Sequence, residues 1–115
     1  MYNNSQHTFT SHDGTELFYQ HWATATPSTT KKAIILFHRG HEHSGRMAHL
    51  VNELNLPDFD FFAWDARGHG HSPGERGDAP SFFVCVKDIQ AFVQHIEQQY
   101  AISAENIAVV AQSVG

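Results

Sequence analysis

Cysteine is nearly absent: Cys85 is the only one in 115 residues, so no intrachain disulfide can brace the chain. It lies in the apolar run "FFVCV", where a buried core thiol is expected. Basic residues are also scarce. Seven Lys and Arg stand against twelve Asp and Glu, giving a net charge of −5. No basic cluster exists to neutralise a phosphate backbone, which argues against a nucleic-acid partner. No apolar run approaches the roughly 20 residues that span a bilayer. The first residues, "MYNNSQHTFTSHDG", lack a basic segment followed by an apolar one, which argues against a secretory signal. A cytoplasmic location is therefore expected. Internal repeats and low-complexity stretches are missing as well.

What is present fits a globular domain: 41% hydrophobic and 17% charged residues. Ten histidines are many for this length. Six of them, His38, His41, His43, His49, His69 and His71, fall in one part of the chain.

The runs "HTFTS" and "TELFYQHW" flank His12-Asp13-Gly14, and Asp-Gly between β-prone runs predicts a hairpin. "ATATPSTTKK" reads as a loop. "AIILF" is a continuous apolar run suited to a strand buried on both faces. After the polar "HRGHEHSG", Met47, Leu50, Val51 and Leu54 recur at helical spacing, with Ser44 as a candidate cap and Pro57 as the stop. "FDFFAW" predicts another strand, and "DARGHGHSPGERGDAP" a long Gly/Pro-rich loop. Apolar residues at 82, 85, 86, 89, 92, 93, 96 and 100 predict an amphipathic helix over 81–100. "NIAVVA" predicts a third buried strand. The order is a β-hairpin followed by βαβαβ, an α/β fold with a parallel sheet.

The chain then reads Ala111-Gln112-Ser113-Val114-Gly115. This nearly matches the G-x-S-x-G nucleophile elbow, a sharp strand-to-helix turn whose neighbours must be small. Ser113 is the candidate nucleophile. The tetrahedral intermediate of acyl transfer needs backbone N–H donors. One comes from the residue after the nucleophile, here Val114, and the second from a glycine-containing loop after an earlier strand, here at Gly40. The same loop admits a metal reading through His38, His41 and His43, since His-x-His spacing turns two imidazoles to one side. It equally admits polar loop histidines bonded to backbone.

Three segments in order resemble the α/β-hydrolase superfamily, in its monoacylglycerol lipase and lysophospholipase branch. They are "FHRGHEHSGR", "WDARGHGHSPGERG" and "VVAQSVG". The resemblance runs from about residue 33 to the end and implies a serine hydrolase of acyl esters that needs no cofactor. It carries Ser113 as nucleophile, and Gly40 and Val114 as oxyanion donors. It assigns the "DARGHGHS" loop an architectural role, with Gly68 and Gly70 permitting the turn and Asp65 and Arg67 as hydrogen-bonding partners. Arg39 stands where the branch has glycine after His38, and Ala111 replaces the first elbow glycine.

In such enzymes the triad acid and base follow the serine. Residues 1–115 are accordingly expected to form the N-terminal portion of one α/β-hydrolase domain, inactive alone. The 107–112 strand is expected at an open edge that the remainder of the domain or another chain must cover.

Overall fold

A computed structural model describes residues 2–24, 31–37, 47–54, 56, 58–66, 72 and 82–111. Among these, five strands form one sheet: β1 (Tyr2–Thr10), β2 (Glu16–Thr24), β3 (Ala33–Phe37), β4 (Asp60–Trp64) and β5 (Ile107–Ala111). Two helices are described, α1 (Ala48–Leu54) and α2 (Phe82–Gln99). The strand order is β1-β2-β4-β3-β5. β1 pairs antiparallel with β2, and β2 antiparallel with β4. β3 runs parallel to both β4 and β5. The sheet is therefore mixed: the hairpin is fused to the predicted parallel strands rather than standing apart from them.

Side chains alternate across these strands and divide the core in two. Ala33, Ile35, Phe62 and Trp64 face one side, where they pack with Phe92, Ile96 and Ile102 from α2 and beyond. Ile34, Leu36, Phe61 and Ala63 face the other, with Met47 and Val51 at α1. The two helices thus cover opposite faces. "AIILF" is buried on both faces, as its unbroken apolar sequence predicts, and Phe61–Trp64 of "DFFAW" are buried as well. "IAVVA" has the same composition but a different fate. It forms a sheet edge, with Val109 53% and Val110 41% exposed.

α2 follows its predicted stripe: Phe92 and Ile96 are fully buried, while Cys85, Val86, Ile89 and Val93 are half-buried. Cys85 is thus only partly inside. Burial, then the charge of Asp88, raises its thiol pKa, which disfavours the thiolate. The helix stops without glycine. Ala101 takes the left-handed conformation (φ 54°), and Ile102 N–H reaches back to Glu97 C=O at 3.3 Å. Ile102 itself is buried in the α2-side core, which holds this helix end in place. On α1, Met47 and Val51 are buried, but the predicted fourth apolar position, Leu54, is 40% exposed at the last residue of the helix.

The hairpin turn spans Ser11–Thr15. Ser11 N–H donates to Thr15 C=O at 2.8 Å, Gly14 N–H to Ser11 C=O at 3.1 Å, and Thr15 N–H to the Asp13 carboxylate at 3.1 Å. Gly14 has φ +85°, and a Cβ added there would meet nothing within 4 Å. The glycine is needed for backbone conformation, not for space. Gly14→Ala should cost about 1–2 kcal/mol, and Gly14→Asn less, as read from denaturant midpoints.

Candidate active site at the carboxyl ends of the parallel strands

The registers bring the three motif-bearing segments to one end of the sheet. Phe37 pairs with Ala111, so β3 and β5 finish side by side at the same height. Leu36 pairs with Ala63, which puts the end of β4 level with them. In the sequence, segments 38–46, 67–71 and 112–115 follow these three adjacent ends. The chain leaves β3 toward α1 on one face and leaves β4 toward α2 on the other. Divergence of connections at neighbouring strand ends is the topological switch point, where open α/β sheets bind ligands.

Gly40, Ser113 and Val114 lie outside the described residues, as do His38, Arg39, His41, His43, Ser44, Arg67, Gly68, His69, Gly70 and His71. What the structure does fix is where their segments begin. Gly40 is three residues past Phe37, and Ser113 two past Ala111, on strands about 4.8 Å apart. Ala111, at the first elbow position, is the final residue of β5.

Asp65 follows β4 directly and is fully buried. Its N–H donates to Phe18 C=O of β2 at 2.8 Å, which continues the β2–β4 pairing past Trp64. The Ser72 hydroxyl accepts from Phe18 N–H at 2.9 Å and donates to Asp65 C=O. The two ends of the 65–72 segment are thereby closed on β2. The resemblance gave Asp65 a structural role, and Ser72 is the closing serine of the same "DARGHGHS" motif.

Sequence reasoning missed two further polar groups. In the first, Ser11 Oγ donates to Asp88 Oδ1 at 2.6 Å, and His12 Nε2 lies 3.3 Å from the same oxygen. These are triad residue types, but the order is wrong. In a triad the imidazole stands between hydroxyl and carboxylate; here the carboxylate stands between the other two, and the serine proton is committed to it. The group borders an open groove of about 540 Å³ between β1 and α2. That groove is at the far edge of the sheet, four strand spacings or about 19 Å from β5. It ties the hairpin turn to α2. Its one sequence signal is Asp88 itself, a carboxylate between Cys85 and Phe92 on the apolar stripe.

The second group is in the core. Tyr19 OH bonds to His95 Nε2 at 2.9 Å and to Tyr100 OH at 2.7 Å. Burial, then the Tyr100 hydrogen bond, pushes the Tyr19 phenol far above its ordinary range. Burial, then repulsion from His7, lowers His95 below 6.5. A histidine held neutral in the fold but free to protonate when unfolded adds stability above pH 6.5. That stability is lost as pH falls from 6.5 through the lowered folded value. Midpoints measured across this range should drop with acid, and His95→Gln should flatten that part of the profile.

Among the described residues, no group of three His, Cys, Asp or Glu side chains is arranged to hold a metal. No described helix is long and apolar enough to cross a membrane.

Comparison with known proteins agrees with this geometry. Residues 28–115 match the serine aminopeptidase S33 family of hydrolases. The chain is 53% identical over 110 residues to the uncharacterized protein YnbC of Escherichia coli K12, covering 96% of this chain and 19% of YnbC. It is 40% identical over 89 residues to the monoglyceride lipase of Mus musculus, covering 76% of this chain and 28% of the lipase. It therefore spans less than a third of either relative. Among solved structures, the esterase Pf2001 of Pyrococcus furiosus superposes with a TM-score of 0.77 at 20% identity, over 99% of this chain and 43% of that one. The mixed sheet, the strand ends that gather the three segments, and these matches lead to one assignment: the chain belongs to the serine aminopeptidase S33 family and has the architecture of the N-terminal part of an α/β-hydrolase fold.

Proposed function

We propose that the polypeptide carrying this chain is a serine hydrolase that cleaves carboxylic esters of acyl, lipid-like substrates. Residues 1–115 would form the N-terminal portion of its single catalytic domain. The observation that carries this reading is the Phe37–Ala111 register, which starts the Gly40 loop and the Ser113 elbow from adjacent strand ends. Similarity to the mouse monoglyceride lipase supports the choice of an acyl ester.

In this mechanism Ser113 Oγ attacks the ester carbonyl and its proton passes to a histidine later in the polypeptide. An acid that also follows residue 115 orients that histidine. The N–H groups of Gly40 and Val114 hold the oxyanion. Collapse breaks the ester C–O bond. The alcohol leaves with the proton returned by the base, and the acyl group stays on Ser113. Water, deprotonated by the same base, then releases the acid. The remainder of the domain would also cover the exposed edge of β5.

An acyl-enzyme predicts a burst. Full-length protein mixed with a p-nitrophenyl ester should release about one equivalent of p-nitrophenol per active site before the steady rate, wherever deacylation is the slower step. A burst accompanied by retention of the acyl group on the protein supports the scheme. A linear trace, with no acyl-protein trapped on acid quenching, contradicts it.

A further inference from the structure

We infer that β1 is a dimer edge: its outer side pairs antiparallel with β1 of a second copy, Gln6 opposite Gln6, and joins the two sheets into one. The inference is independent of the proposed reaction.

β1 is the last strand of the sheet on the side away from β5, and β2 occupies only one of its edges. The turn bond from Ser11 N–H to Thr15 C=O sets the alternation of the ladder. Odd residues of β1 exchange bonds with β2, while the backbone groups of Asn4, Gln6, Thr8 and Thr10 point outward. Among the described residues, no backbone group outside the β1–β2 ladder bonds to them. An open edge is normally blunted by charge, proline or a bulge. β1 has none of these. Its nine residues include no Asp, Glu, Lys, Arg or Pro, and its register with β2 runs unbroken from Tyr2–Thr24 to Thr10–Glu16.

A second copy is the occupant because the strand is complementary to itself. Its midpoint, Gln6, is one of the outward residues. A two-fold axis there sets Asn4 opposite Thr8 and Tyr2 opposite Thr10, so every outward N–H and C=O meets a partner. The side chains of Asn4, Gln6 and Thr8 are exposed and uncharged, so a chain of net charge −5 meets its copy without repulsion along this strand. The same pairing enters the groove between β1 and α2. Odd side chains of β1 face α2, as Phe9 does, so Asn3 of the second copy comes opposite Phe9 within that groove. There it meets a wall carrying the exposed amides of Gln90, Gln94 and Gln98. The exposed charges of the groove, Glu16 and Lys87, balance in sign.

The test uses full-length protein, with mass read by light scattering and affinity by sedimentation over a concentration series. The parent should be a dimer; a parent that is monomeric at every concentration overturns the inference. Gln6→Pro deletes an N–H on the outward side alone, which an edge strand tolerates. It should weaken dimerisation about a hundredfold, with circular dichroism unchanged. Gln6→Lys and Gln6→Glu each set like charges face to face and should weaken the dimer, and mixing the two variants should restore it. If the proline variant folds poorly, Gln6→Cys decides. Directly opposite residues of a bonded pair have Cα atoms about 5.5 Å apart, within disulfide reach, so mild oxidation should give a covalent dimer. Asn4→Cys is the control, since this register holds the two copies of residue 4 roughly 14 Å apart. A dimer that survives Gln6→Pro at the parent affinity, or a thiol at position 4 that cross-links as readily as one at position 6, overturns the inference.

Discussion

Ser113→Ala should reduce kcat/KM for ester hydrolysis by about 10⁴-fold or more, with the fold intact. In the proposed mechanism the alanine has no oxygen to form the acyl-enzyme, so the two-step route would be closed and only transition-state binding by the proposed Gly40 and Val114 donors would persist. That residue of catalysis is real in triad enzymes, so a small remaining rate is compatible with the mechanism. The loss should appear in kcat. The ester binds before attack, and its ground-state contacts do not depend on the serine proton. Circular dichroism and the thermal midpoint should match the parent. An elbow residue that were merely part of a turn would give the opposite pattern, a shifted midpoint with activity within a fewfold of the parent.

Phe92→Ala should destabilise the fold by about 3–5 kcal/mol, a large share of the 5–15 kcal/mol that holds a typical domain. Phe92 is fully buried at the centre of the α2-side core. Its ring lies 4.9 Å from Phe9, 5.4 Å from Tyr19 and 5.6 Å from Trp64, so one side chain joins β1, β2 and β4 to the helix. Alanine leaves a cavity bounded by three rings from three strands, which cannot all move inward together. Phe83 supplies the control from the same helix. It is 67% exposed, with Lys87 Nζ 4.9 Å from its ring centre, and Phe83→Ala should change stability by no more than about 0.5 kcal/mol. Denaturant midpoints of the two variants in the full-length protein separate the cases. Equal effects would mean that α2 does not pack on the sheet through Phe92.

Local pattern made part of this fold readable. "AIILF" is an unbroken apolar run and "FDFFAW" is apolar but for Asp60; each became a strand with both faces buried because both sides of the sheet there are covered. "IAVVA" shows the limit of the same reading. Composition says what a strand can pack against, not whether anything lies over it, and β5 is a sheet edge with two exposed valines. Asp13-Gly14 marked the hairpin turn, yet β1 extends back to Tyr2 through the polar "YNNSQ". Pairing with β2 imposes that strand, and the sequence of β1 alone does not. The antiparallel β2–β4 pair, which makes the sheet mixed, joins residues some forty positions apart and leaves no local trace. The strand ends that gather the candidate site were legible through motif order. The bonds of Ser72 to Phe18, and of Asp88 to Ser11 across 77 residues, depend on folded proximity and were not.

The central claim is that Ser113 is the nucleophile of the parent enzyme. Its most direct test is peptide mass spectrometry of the full-length protein after reaction with a fluorophosphonate. The account predicts one adduct per polypeptide, on the peptide that contains Ser113, and none in Ser113→Ala. An adduct on another serine such as Ser11, or none at all in a folded protein that still hydrolyses esters, would contradict it.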